Sequence, residues 1–147
     1  MRLSTKGRYG SRAMLELALR YGNGPVLVRD ISKAQDISGK YLERIFFTLK
    51  NAGLVKSQRG TKGGYILAKP AAEIKLIQII KALEGSLAPV ECVDEPLVCK
   101  RNGVCVTREI WEKIKYAIEE ILSSVTLDDL VRQYRRKNKC QMKMYYI

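Results

Sequence analysis

Three thiols fall within fourteen residues, in the spacing Cys92-x6-Cys99-x5-Cys105, and a fourth, Cys140, lies near the end of the chain. In a reducing compartment such thiols stay unpaired, and their crowding points to a metal or redox site. Thiolates are soft donors suited to iron–sulfur clusters. Three of them on an irregular segment can converge where a helix or strand would splay them. Zinc sites carry tighter Cys-x2–4-Cys pairs, which this chain lacks, so zinc is disfavoured. Two other readings stand beside a cluster. The loop could hold three free thiols and no metal, or Cys99 or Cys105 could be the nucleophile of a thiol-dependent protein. Against the nucleophile, the 147 residues include no histidine to serve as general base, and no nucleophile motif surrounds either cysteine.

A second chemistry is carried by charge. The net charge is +12, and residues 1–69 hold 14 Lys/Arg against 4 Asp/Glu, whereas residues 70–147 hold 13 against 11. The excess therefore sits on the first half, a distribution that favours a polyanion through counterion release. Within that half, residues 37–67 carry the side chains that could read DNA. Ser38 caps a helix over SGKYLERIFFTLKNAG, and Gly53 suits the left-handed position that ends it. Leu42, Ile45, Phe46 and Leu49 recur at i, i+3, i+4 and i+7, a buried stripe. Lys40, Tyr41, Glu43 and Arg44 lie in the first turns, where recognition helices meet base edges. Arg44 can bond a guanine edge with two hydrogen bonds, and Tyr41 can pack on backbone sugar or into the core. Glu43 is repelled by phosphate, so its use there would be to accept from cytosine N4 or to reject other sequences; a solvated charge is the plainer alternative. Two β-prone runs, 54–57 and 65–67, flank a basic Gly-rich turn. Arg59 and Gly60 at its tip could enter a narrow minor groove, with Lys56 and Lys62 on phosphates. Gly60, Gly63 and Gly64 read as turn residues with positive φ. The turn lacks the GxxxxGK[ST] order of a phosphate loop.

These residues require supporting elements. Residues 3–22 read as a first helix capped by Ser4 or Thr5, with Met14, Leu17, Ala18 and Tyr21 facing inward. Lys6, Arg8 and Arg12 crowd its first half against the helix dipole, which suggests backbone phosphate as their partner. Residues 28–35 form a short helix with Ile31 and Ala34 inward. The three-residue connector after it gives helix-turn-helix spacing. A helix over 74–83 packs Ile77, Ile80 and Leu83, and 88–106 is an irregular cysteine loop with turn signals at Pro89, Pro96 and Asn102-Gly103. Thr107 caps a long helix to about residue 124. Its Trp111, Ile114, Ile118, Ile121 and Val125 form a two-heptad seam, for a partner helix or for packing within the monomer. Thr126 and Asp129 fit a capping box for a last helix to about residue 137, and the tail KCQMKMYYI is left unplaced. The expected class is mainly α: a winged helix-turn-helix with a two-stranded wing and a long C-terminal dimerisation helix. Its parts are residues 1–87 for DNA, 88–106 for the cysteine loop, and 107–147 for the dimerisation helix and tail. No apolar run reaches membrane-span length and no signal peptide opens the chain, so a cytoplasmic protein is expected.

The segments MRLSTKGRYG, ISGKYLERIF, NAGLVKSQRGTKGGYIL and IIKALEG together resemble the Rrf2 family of winged-helix transcription regulators, over nearly the whole chain. The resemblance implies a homodimer joined by a long helix and reading two half-sites of a palindromic operator in double-stranded DNA. In many members it also implies an iron–sulfur cluster in the cysteine loop, here of the 2Fe-2S type. The nearest subgroups are the iron–sulfur cluster biogenesis regulators called IscR and the cysteine-metabolism repressors called CymR. The second group lacks the loop cysteines, so Cys92, Cys99 and Cys105 tilt the chain toward the first. A nitric-oxide sensor with a 4Fe-4S cluster is a further alternative within regulation. IscR proteins use a histidine three residues after the last cysteine; Arg108 stands there. Cys140, Glu91, Asp94, Glu95, Glu109 or a partner residue are the substitutes. In that subgroup the matching glutamate discriminates two classes of DNA site, a role the resemblance extends to Glu43.

Overall fold

The computed structural model describes residues 2–145. Helix α1 (Thr5–Leu19) begins at Ser4, whose hydroxyl accepts from the Gly7 N–H. It is followed by α2 (Val28–Gln35) and α3 (Gly39–Asn51). Asp36, in the left-handed region at φ 52°, ends α2 and turns the chain into Ser38. The Ser38 hydroxyl takes the Tyr41 N–H at 3.5 Å, and Gly53 at φ 74° follows the far end of α3. The expected stripe of Leu42, Ile45, Phe46 and Leu49 is fully buried. It meets Met14 and Leu17 of α1 and Ile31 of α2 in a single core.

The wing is an antiparallel pair, β1 (Val55–Gln58) and β2 (Gly64–Leu67), in register Val55 with Leu67 and Gln58 with Gly64. Helix α4 (Leu76–Glu84) closes the core with Ile79, Ile80 and Leu83. It lies close against α1 because Gly7 and Gly10 present no Cβ. A methyl at Gly10 would strike Leu83, and one at Gly7 would strike the Glu84 carboxylate. Three single 3-10 turns, at Glu91–Val93, Pro96–Val98 and Asn102–Val104, build the cysteine loop. Then come α5 (Val106–Ser123) and α6 (Leu127–Tyr145). A short bridge joins the starts of α4 and α6: Leu76 donates to the Val125 carbonyl and Leu127 to the Ile74 carbonyl, both at 2.8 Å.

Several sequence expectations are corrected. The first helix stops at Leu19, so Tyr21 falls beyond it and is exposed; Ala34 is exposed as well. On α4 the core position is Ile79, and Ile77 is half-buried. Gly63 is needed for room rather than for positive φ, because a Cβ there would strike the Gln58 carbonyl; Gly60 and Gly64 do have positive φ. Cys105, not Thr107, occupies the position before α5. The Thr126–Asp129 box forms as expected: the Thr126 N–H and hydroxyl both donate to Asp129 at 2.9 Å, and the Asp129 N–H donates back at 3.1 Å. The helix it opens continues to Tyr145, well past the expected end. Residues 146 and 147 of the unplaced tail lie outside the described residues.

Candidate nucleic-acid interface

On α3 the side opposite the core stripe presents Lys40, Glu43, Arg44, Lys50 and Asn51, all exposed. Tyr41 is turned inward instead: it is half-buried, packed on the core and edge-on to Tyr9 at 5.9 Å between ring centroids. That contact removes it from the outward face.

The wing is held against this helix by Tyr65 of β2, a residue outside the expected set of DNA contacts. Its N–H and carbonyl pair with Val26 at 2.9 Å each, and its ring stacks on Phe46 at 4.5 Å and 14°. Its hydroxyl donates to Glu43 Oε2 at 3.4 Å. Burial, then the charge of Glu43, raises the Tyr65 hydroxyl above the usual phenol pKa. Gly64, at φ 141°, lets this strand approach, since a Cβ there would strike the Val26 carbonyl. The base of the wing thus lies beside the outward face of α3. At the tip, residues 59–63 carry Arg59, Gly60 and Lys62, all exposed, as is Lys56 on β1.

The N-terminus of α1 already has a partner for its dipole. An anion does sit there, but it belongs to the chain. Glu84 Oε1 accepts from the Ser4 N–H at 3.0 Å, the Ser4 hydroxyl at 2.5 Å and the Gly7 N–H at 3.1 Å. A carboxylate at a helix N-terminus offsets the dipole cost of nearby cations. Arg12 is engaged internally too, with the Gln35 side chain and carbonyl and over the Tyr9 ring at 5.4 Å. Lys6 is half-buried and Arg8 exposed. Neither has an ion-pair partner among the described residues.

In the cysteine loop, Cys92, Cys99 and Cys105 are half-buried free thiols, and Cys140 is exposed on α6. Among the described residues no three His, Cys, Asp or Glu side chains gather as a metal site. The donors therefore fit a cluster in kind but are not assembled in this conformation. Asn102 Oδ1, between Cys99 and Cys105, is buried with no hydrogen-bond partner among the described residues. Arg108, at the position of the subgroup's histidine, donates to the Cys92 carbonyl at 2.9 Å and pairs with Glu112 at 2.9 Å. Asp94 is occupied by Lys115 at 2.6 Å and by the Ser86 hydroxyl. Hydrogen bonds from the Thr107 hydroxyl and then the Arg108 N–H hold the Cys105 thiol below its ordinary pKa, helped by Arg101.

Helix α5 buries no residue fully. Of the expected seam, Trp111, Ile114, Ile118 and Val125 are half-buried and Ile121 is 65% exposed. The inner side is held by Lys81–Glu119 at 2.9 Å and Lys115–Asp94. The outermost apolar positions, Val106, Ile110, Ala117 and Ile121, fall on one face of the helix. No helix among the described residues is long and apolar enough to cross a membrane.

A helix-turn-helix followed by a two-stranded wing defines the winged-helix class of DNA-binding proteins. The Rrf2 family model, described as an iron-dependent transcriptional regulator, matches residues 3–133, and the chain belongs to that family. The protein rrf2 of Nitratidesulfovibrio vulgaris is 41% identical over 144 residues, covering 97% of this chain and 96% of its own. The structure of CymR, the global cysteine regulator of B. subtilis, superposes with a TM-score of 0.76 at 41% identity, covering 90% of this chain and 98% of that one. IscR of T. potens gives a TM-score of 0.75 at 43% identity, covering 91% and 88%. Relatives are thus named transcriptional regulators, of both the IscR and the CymR kind.

Proposed function

We propose that the chain is a homodimeric, sequence-specific transcription regulator that places α3 in the major groove of each half of a palindromic operator. Arg59 and Gly60 enter the adjoining minor groove, and Lys6, Lys56 and Lys62 neutralise phosphates. The observation that carries this is the Glu43–Tyr65–Phe46 contact, which holds the wing beside the cationic side of α3. In this arrangement Ser38 fixes the start of α3, Lys40 and Arg44 point to base edges, and Glu43 sets sequence choice. The exposed apolar face of α5, Val106, Ile110, Ala117 and Ile121, meets its copy in a second subunit, so that two α3 helices reach one duplex.

In the same proposal the input arrives through Cys92, Cys99 and Cys105, which would hold an iron–sulfur cluster of the 2Fe-2S type, with a fourth ligand other than histidine. Such a group, when bound, supplies a redox-sensitive charge at the loop. The loop is pinned to α5 by Arg108 on the Cys92 carbonyl, by the Lys115–Asp94 pair and by Cys105 preceding the helix. Rearranging the loop therefore shifts the start of the proposed dimerisation helix, and with it the spacing of the two α3 helices. A second reading is a cysteine-metabolism repressor that uses no metal. The likeness to the B. subtilis global cysteine regulator supports it.

Fluorescence anisotropy on duplexes selected from a random pool tests the shared claim. Binding should favour palindromes, and its affinity should fall linearly with salt on logarithmic axes, with a slope of roughly −5 to −9 for about six to ten phosphate contacts. Absence of any selected duplex would end it. Iron and sulfide per chain in protein purified without oxygen separates the two readings: both should be present for a cluster, and neither for the metal-free repressor.

A further inference from the structure

We propose that Phe47 is a base-contacting residue of this interface and reads a thymine methyl in the major groove. The proposal rests on the assignment of α3 as the groove-entering helix. Phe47 is 64% exposed, whereas Leu42, Ile45, Phe46 and Leu49 of the same helix are fully buried. Its position is not at the edge of the polar side but near its middle. Lys40, Glu43, Arg44 and Phe47 follow one another at i, i+3, i+4 and i+7, the spacing of one helix face and of the residues by which recognition helices read successive bases. Lys50 and Asn51 border it on the next turn, and both are exposed.

A phenyl ring flanked along the helix by exposed Lys40, Glu43, Arg44, Lys50 and Asn51 needs an apolar partner inside a polyanionic setting. Phosphate offers it no apolar contact. The four base pairs present distinct donor and acceptor patterns in the major groove, and the thymine C5-methyl is the apolar group among them; phenylalanine is one of the side chains that meets it. A protein partner fits less well. The core of a protein interface is depleted in charged residues, whereas Phe47 shares its helix face with Lys40, Glu43 and Arg44, all exposed. Arg44 one turn before it can take a guanine edge, and the Glu43 carboxylate on the other side is drawn toward Tyr65 at 3.4 Å.

The test uses the full chain and an operator selected from random duplexes. Each thymine is replaced in turn, symmetrically in both half-sites, by deoxyuridine, which removes only the methyl. Affinity is read by anisotropy at fixed salt. The wild-type chain should lose about 3- to 5-fold per half-site at one position, the scale of one buried methyl. Phe47→Ser should bind the thymine and uracil duplexes equally there, with its salt slope unchanged. Phe47→Leu, which keeps an apolar contact, should retain part of the difference and serves if the serine variant folds poorly by circular dichroism. A flat uracil scan with the wild-type chain, or a serine variant that keeps the full methyl effect, overturns the assignment. So does a serine variant that dissociates to monomer on sedimentation while its methyl effect persists, since the ring would then be covering a second copy. If no duplex is selected at all, the α3 assignment fails and takes this one with it. Selection with salt-sensitive binding and a flat scan removes the role of Phe47 alone.

Discussion

Replacing Tyr65 by phenylalanine removes one oxygen from the joint between wing and recognition helix. The ring stack on Phe46 and the two backbone bonds to Val26 do not involve that oxygen and should survive. What is lost is the hydroxyl's bond to Glu43 Oε2, which at 3.4 Å is long and lies near the surface. A well-formed bond to a charged group contributes ~1.5–3 kcal/mol net. Length and solvent reduce that here to ~0.5–1 kcal/mol, or about 2- to 5-fold in an equilibrium constant. The effect should appear in sequence choice rather than in affinity overall. Freed from Tyr65, the carboxylate can reach a cytosine N4 donor, so Tyr65→Phe should gain affinity for duplexes carrying cytosine opposite Glu43 relative to the other three bases. Glu43→Ala should broaden choice at the same base pair without weakening all duplexes equally. In the Glu43→Ala background Tyr65→Phe should then add nothing. Anisotropy on the operator and its single-base variants measures all four proteins. Additive effects of the two substitutions would refute the coupling, as would a Tyr65→Phe profile that scales every duplex by one factor, since that is what a wing merely loosened would do.

Three other outcomes follow from contacts outside the reading face. Glu84→Ala leaves the Ser4 and Gly7 N–H groups without their shared acceptor; it should cost ~1–2 kcal/mol, lowering Tm by about 3–6 °C in a circular dichroism melt, and an unchanged Tm would remove the cap from the account. The Asp129 carboxyl is held below its ordinary pKa by the Thr126 N–H and then the Thr126 hydroxyl. Its folded pKa is therefore depressed, so the stability it supplies is present above the unfolded value of about 3.9 and is lost as pH falls through the folded one. Urea midpoints of Asp129→Asn should accordingly lie below wild type near neutrality and converge with it in acid. Finally, glutamate at both Ile110 and Ile121 on the outer face of α5 should convert a sedimenting dimer to monomer, and a dimer that persists would place the subunit contact elsewhere.

Much of the fold was legible because local rules and long-range packing agree along this chain. The Leu42–Ile45–Phe46–Leu49 stripe, the Ser38 cap, Gly53 and the Thr126–Asp129 box are short-range patterns, and each formed where its chemistry demanded. The charge asymmetry and the motifs that signal the family are likewise properties of the string. Contacts between distant residues were not legible. Glu84 lies 80 residues from Ser4, and nothing in either segment announces that one caps the helix of the other; the chain's own anion at the start of α1 is visible only once α4 packs there. Tyr65 and Glu43, 22 residues apart, meet only because Gly64 and Val26 bring the wing strand against α3. Tyr41 meets the edge of Tyr9, a contact that exists only once α1 packs on α3. Phe47 falls on the face opposite the Leu42–Leu49 stripe, and the folded surface leaves its ring exposed among charged residues. The cysteine loop marks the same boundary: its spacing names the donors, but whether three sulfurs converge depends on how Arg108, Asp94 and Lys115 tie the loop to α5, and that is decided by packing between elements, which one-dimensional order does not encode.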